Sequence, residues 1–316
     1  MPGLPLLRIP LLAQLEILKH VDVYDLITLT FCSERTRALV ESAKVPLRQL
    51  RFKFLGSNDV GIRVNDDFYM RTQFTSIKGC QCKEAHKSVE VIWRECFSKK
   101  RVVLFQNAPR HDSLSKMLTD HLLGTFRNAK VVNVSTKISQ AQDIPIWKYR
   151  KTIDNFSVCC DREEKLSEEE INFVFQELTI NENLDISFPV VDEFKFSAGF
   201  QQKSVFIDHA IWVQFDAILN SKSQQISLYE IENPSAVQLN ILLKLWISMG
   251  KMENLKELTL RLPSGEKFGD TFLTKVLDGI VHDRISHKWA EIQRVDGKVA
   301  DVMLDGNTGI WFSTRD

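Results

Sequence analysis

The first apolar pattern in the chain is helical. After Ile9-Pro10, the residues Leu11, Leu12, Leu15 and Leu18 fall on one stripe, with the proline near the first turn, where its missing N–H costs nothing. Asp22 and Asp25 both offer capping oxygens for a second helix that runs on through Leu26 and Leu29. A third helix is predicted from about Ser33 to Ser42, carried by Ala38, Leu39 and Val40 and closed by Lys44-Val45-Pro46. Three helices this short cannot bury their apolar faces among themselves. The rest of the chain or a partner must cover them.

Beyond residue 47 the period changes. Leu50, Phe52 and Phe54, then Ile62 and Val64, then Phe68 and Met70 alternate with polar neighbours, which predicts an antiparallel meander over 47–75. Strand-like apolar pairs recur at Val103/Phe105, Val132/Val134, Phe156/Val158, Phe194/Phe196, Ile226/Leu228 and Leu258/Leu260. Helical stretches lie between several of them: Leu114 to Phe126, Ser167 to Leu178 with three acids in its first turn, and Pro234 to Met249. A strand and a helix repeating every 25–35 residues or so is the pattern of leucine-rich-repeat-like α/β solenoids, with Asn254 to Leu262 as the best match. The expected fold is therefore α+β. Three N-terminal helices precede one curved α/β sheet over about 80–285, its six strand pairs parallel and in chain order, flanked by small antiparallel meanders. The second meander, over 290–313, is joined by Asp296-Gly297 and Asp305-Gly306, both hairpin signals. A doubly wound sheet is the rival, but no strand is followed by a glycine-rich phosphate loop and the strands are half polar.

Composition narrows the function classes. The chain has 316 residues, 44% hydrophobic and 26% charged, with 41 basic side chains matching 41 acidic ones. That excludes a disordered tail protein, a collagen-like chain and a globally basic nucleic-acid binder, and the length suits about two domains. Locally, 47–112 carries 13 Lys/Arg against 7 Asp/Glu, while 113–316 carries 23 against 29. Ordinary surface variation and a basic patch for an acidic partner both fit this imbalance. The apolar N-terminus is interrupted by Arg8 and two prolines, and no later stretch approaches the ~18 apolar residues of a membrane span, so the expectation is an intracellular, soluble chain, cytoplasmic or nuclear. Six cysteines are too sparse for a disulfide framework. Cys80, Cys82, His86 and Cys96 offer four thiol and imidazole ligands, but one residue between the first pair is the wrong spacing for a zinc ribbon or finger. Cys159 and Cys160 are adjacent on a predicted strand and face opposite ways.

No catalytic constellation stands out. There is no G-x-S-x-G, no Walker loop, no H-E-x-x-H and no paired Cys-x-x-Cys. The histidines at 20, 86, 111, 121, 209, 282 and 287 are scattered, and the expectation is a binding protein that needs no metal or cofactor.

The run Ile9-Pro10, Ile17-Leu18, Val21-Asp22, Asp25-Leu26-Ile27, Leu29, Cys32-Ser33 and Arg35 resembles an F-box, with matching spacing throughout. It departs where Leu12 replaces an acid, Ala13-Gln14 two leucines, Val23 a proline and Thr36 a tryptophan. Trp246-x3-Gly250-Lys251-x-Glu253-Asn254-Leu255 and Arg294-x-Asp296-Gly297-x2-Ala300 resemble the nematode F-box-associated domain of the second type. The resemblance implies an F-box over 1–46 and an F-box-associated substrate-binding domain over 47–316. It further implies a Skp-family adaptor as partner, and through it a cullin ubiquitin ligase to which a protein substrate is brought without catalysis by this chain. Ile9, Pro10, Ile17, Leu18, Leu26 and Leu29 are then the expected adaptor face and the small core behind it. Among the outward strand positions, Lys195, Tyr229 and Arg261 are the large ones, and large amphipathic side chains anchor interfaces, so they are the expected substrate contacts. A scaffold docked on the adaptor without degradation is the alternative, and a nucleic-acid-binding module using 47–112 is a third.

Overall fold

The computed structural model describes residues 6–45, 47, 49–56, 59–64, 68–74, 88–94, 99–105, 114–136, 141–159 and 165–315. It divides into two compact units, Met1–Ile153 and Asp154–Asp316.

The first unit opens with the three expected helices, α1 (Leu11–His20), α2 (Val23–Cys32) and α3 (Glu34–Ala43). Of the two candidate caps for α2, Asp22 takes the role: its carboxylate accepts from the Asp25 N–H at 2.9 Å. Ser33 caps α3 in a reciprocal box with Thr36, whose hydroxyl accepts from the Ser33 N–H at 3.0 Å. Lys44, left-handed at φ 48°, ends the helix. Five strands follow: β1 (Gln49–Gly56), β2 (Asp59–Val64), β3 (Phe68–Phe74), β4 (Ser88–Arg94) and β5 (Lys99–Phe105). Helix α4 (Leu114–Thr125) and strand β6 (Lys130–Thr136) complete the main elements. The strand order is β6-β1-β2-β3-β4-β5, antiparallel except for the β1–β6 pair. The meander expected over 47–75 is present and extends through β5.

The cover that the three helices need comes largely from α4. It packs against α3 and β2 and buries Leu118, Leu122 and Leu123. Leu18, Leu26, Ile27, Leu39 and Val40 are buried on the helical side.

The second unit holds all but the first two residues of β7 (Thr152–Cys159), then α5 (Glu168–Asn172), β8 (Thr179–Ser187), β9 (Ser204–Ile207), α6 (Phe215–Leu219), β10 (Gln225–Leu228), α7 (Ala236–Ile247) and β11 (Glu257–Arg261). Then come α8 (Phe272–Val276), β12 (His282–Ser286), β13 (Trp289–Gln293), β14 (Val299–Asp305) and β15 (Gly309–Thr314). The order is β12-β13-β14-β15-β11-β10-β9-β8-β7. Strands β8 to β11 run parallel in chain order, and β15 pairs antiparallel beside β11. The two Asp-Gly hairpins form as expected, with Gly297 at φ 90° and Gly306 at φ 62°.

The chain is thus a mixed α/β protein in which N-terminal helices precede a large mixed sheet. The repeat expectation needs correction at the level of strands. Val103 and Phe105 lie on β5, which pairs antiparallel with β4 and is no part of a parallel run. Phe194 and Phe196 form no strand; only an isolated bridge joins Phe196 to Val213. Their alternation serves packing instead: with Phe175, Phe200 and Trp212 they form an aromatic cluster. The strands at that place in the order are Thr179–Ser187 and Ser204–Ile207, which the apolar pairs passed over.

Candidate functional site

Two surfaces carry features that could receive a partner. The first is on the N-terminal helices. Leu18 and Leu26 are fully buried and form core, and Leu29 is half-buried. Ile9 is half-buried and Pro10, the N-cap of α1, is exposed. Ile17 is 39% exposed, Leu11 58% and Leu12 81%. Leu11 and Leu12 therefore leave apolar surface exposed at the first turn of α1, and Ile17 does so on the other flank of the helix, on a module whose α2 and α3 are covered by α4. Leu12, on the apolar stripe by its spacing but a departure from the F-box pattern, is the most exposed of them.

The inner side carries a half-buried histidine. His121 on α4 stacks on Phe31 with ring centroids 3.9 Å apart, and its Nε2 lies 2.8 Å from the Thr30 hydroxyl. That hydroxyl donates its single proton to the Ile27 carbonyl at 2.6 Å, so Nε2–H must donate to it. Burial first, and the Arg37 charge second, push the His121 pKa down to about 4. Arg37 itself donates from Nε to Glu41 at 3.1 Å and to Thr125 at 2.9 Å, fastening α3 to α4.

The second surface is the face of the second unit's sheet turned away from its apolar core. Along each strand, buried and part-exposed residues alternate, which assigns one set to the core and the other to the open face. Strand register aligns Asp185, Phe206, Ser227, Thr259, Trp311, Met303 and Trp289 in one cross-strand row on that face. An adjoining row runs through Gln225, Glu257, Ser313, Asp301 and Glu291. On the other side, Arg261 is level with Gly309 and Asp305.

Of the three expected substrate contacts, the structure brings two together. The Arg261 guanidinium sits 5.0 Å from the Tyr229 ring centre and donates to Asp305 at 3.1 Å, while Tyr229 meets Phe206 edge-on at 5.2 Å. Lys195 has other partners: its ammonium donates to the Ile211 carbonyl at 3.3 Å and faces Glu232 at 3.6 Å. Tyr229 and Arg261 border a cleft of about 420 Å3 whose other walls include Thr259, Met303, Asp305 and Trp311. Trp311 and Met303 come from the terminal meander, and only the pairing of β15 beside β11 could reveal them.

The carboxylates on this face are tuned by their surroundings. Burial raises the Asp185 pKa, against the Ser187 and Ser157 hydroxyls that donate to it, and Asp208 raises it further. Arg315 holds the Asp301 carboxyl below its usual range, helped by the Trp289 indole N–H, which donates at 2.9 Å.

The residue run that carried the F-box-associated resemblance assembles into one structural clamp. Arg294 stands 5.2 Å over the Trp246 ring, donates to the Glu253 carbonyl at 2.8 Å and makes a two-pronged bond to Asp296 at 2.9 and 2.6 Å. It ties the end of α7 to the β13–β14 hairpin. Arg294 is also the main reason the Asp296 carboxyl falls to about 2.

The possible zinc ligands Cys80, Cys82, His86 and Cys96, as well as Cys160, lie outside the described residues, as does much of the basic 47–112 stretch. Among the described residues, no cluster of His, Cys, Asp and Glu could hold a metal, and no helix is long and apolar enough to cross a membrane.

Comparison with known families finds two matches: an F-box domain over residues 6–48 and an F-box associated domain over 195–260. The second spans β9 to nearly the end of β11, including Lys195 and Tyr229 but stopping one residue short of Arg261. No curated protein and no solved structure matches the chain. F-box domains bind Skp-family adaptors of cullin ligases, and the two families are in general non-catalytic. An F-box joined to an F-box-associated domain is, in general, the arrangement of a substrate-recognition adaptor of Skp–cullin–F-box ubiquitin ligases.

Proposed function

We propose that this chain is the substrate receptor of such a ligase, of the nematode F-box type, acting in the cytoplasm or nucleus. Its adaptor-binding face is Ile9, Pro10 and Ile17, extended by Leu11 and Leu12, with Leu18, Leu26 and Leu29 as the packing behind it. The observation that carries the reading is the exposed apolar pair Leu11 and Leu12 at the first turn of α1, in a module whose α2 and α3 are already covered by α4. The parallel strand–helix run of the F-box-associated unit, leucine-rich-repeat-like in its strand order, holds a protein substrate at Tyr229 and Arg261. The chain itself makes and breaks no bond; it raises the local concentration of substrate near the ubiquitin-charged enzyme.

The test is co-purification with the Skp-family adaptor. Replacing Leu11 and Leu12 by Asp should abolish capture, because a buried unpaired carboxylate costs far more than an interface anchor gains. The same change should move folding stability little, since both side chains are largely exposed. Ile9→Ala with Pro10→Ala should weaken capture likewise. Wild-type capture by both variants would exclude this face.

A further inference from the structure

We propose that the open-face cleft bounded by Tyr229, Arg261 and Trp311 is a recognition site for a basic segment of a protein, in which a Lys or Arg stands next to an aliphatic or aromatic side chain. The inference rests on the chain being a substrate receptor and names the class of substrate.

The shape comes from residue size. Thr259 and the side-chain-less Gly309 leave the floor low, while Tyr229, Met303 and Trp311 rise around it. At about 420 Å3 the cleft falls within the roughly 300–1,000 Å3 range of sites that bury a small ligand, ample for an anchoring side chain. Aromatic and thioether walls favour an apolar anchor, and the Trp311 ring also attracts a cation.

Charge decides which protein segment fits. Asp305 lines the cleft, and Asp185, Asp208, Glu257, Glu291 and Asp301 share its sheet face on the rows described above and just beyond β9, against Arg261 and Arg315. Arg261 is matched by Asp305, and Arg315 is shared by Asp301 and Glu291, so the excess is negative. Such a field draws in a basic chain and repels phosphate backbones and anionic lipid surfaces.

The experiment selects a phage-displayed random dodecapeptide library on the immobilised full-length chain. Enriched peptides should carry Lys or Arg beside Leu, Phe or Trp, and their binding should weaken with added salt. Thr259→Arg fills the cleft, and the pair Asp208→Lys with Glu257→Lys cancels the negative excess without touching its walls. Each should lower peptide affinity by about tenfold or more. Enriched peptides without a basic excess, no enrichment at all, or affinity unchanged in both variants would overturn the proposal. Thermal melting and adaptor capture are measured on every variant to separate loss of fold from loss of site. Failure of the wild-type chain to capture the adaptor would sink the receptor reading alone, since peptide selection does not pass through α1.

Discussion

His121 is the residue whose chemistry most directly reports the packing of the N-terminal helices. Its folded pKa of about 4 lies below the ordinary imidazole value of 6.5, so the unfolded chain takes up the proton first as pH falls. The stabilisation is present above about pH 6.5 and is lost as pH drops toward 4; at full protonation the loss is about 3 kcal/mol. Unfolding midpoints measured across that window should fall for the wild type and run flatter for His121→Phe. The variant keeps a ring against Phe31 and leaves Thr30 bonded to the Ile27 carbonyl. Equal slopes in both proteins would place the acid sensitivity elsewhere. Gly199 is a position fixed by close backbone approach. A side chain there would put its Cβ 1.9 Å from the Asn220 carbonyl oxygen, in backbone that cannot yield cheaply. Gly199→Ala should therefore cost more than about 2 kcal/mol in chemical denaturation, whereas the same change at Gly269, with open space around it, should cost little.

Elements fold as their own sequences direct but are held by side chains from far along the chain. Helix α7 has its Ser235–Gln238 capping box and buries Leu239, Leu242, Leu243 and Trp246, all of which its spacing announces. What anchors its end is Arg294, which bonds the Glu253 carbonyl and lies over Trp246. Arg294→Ala removes that bond and the cation–ring contact together, for an expected loss of about 1–3 kcal/mol. Arg294→Lys should recover only part of it, because an ammonium cannot reproduce the two-pronged bond to Asp296. Hydrogen exchange at the end of α7 and in the β13–β14 hairpin should quicken in step. Quickening in the hairpin alone would mean that the clamp does not couple them. At this scale the sequence makes a helix legible where apolar period and cap agree, as in α2, α3 and α7. It misled at Phe194 and Phe196, whose alternation belongs to an aromatic cluster. It also passed over β8, where Thr179 to Ser187 is mostly polar and only Ile180, Leu184 and Ile186 turn inward.

For the whole molecule, the two candidate surfaces fall in different compact units, α1 in Met1–Ile153 and the open-face cleft in Asp154–Asp316. Binding at one should then be separable from binding at the other. Leu11→Asp with Leu12→Asp should leave peptide selection at the cleft unchanged, and Thr259→Arg should leave adaptor capture unchanged, each judged by titration of the full-length chain. Strong cross-effects would show the surfaces to be energetically coupled. The sequence by itself determined the N-terminal helices, the two Asp-Gly hairpins and the F-box resemblance, because all of these are written in residues close along the chain. It also singled out Tyr229 and Arg261, since strand alternation decides which side chains leave the core. Only the tertiary structure decided that α4 covers the inner side of the three helices and that β15 enters the sheet beside β11, bringing Trp311 and Met303 to Tyr229. Those pairings join segments tens of residues apart, and local period carries no register between distant strands: a strand's neighbours are chosen by the cores they bury in common.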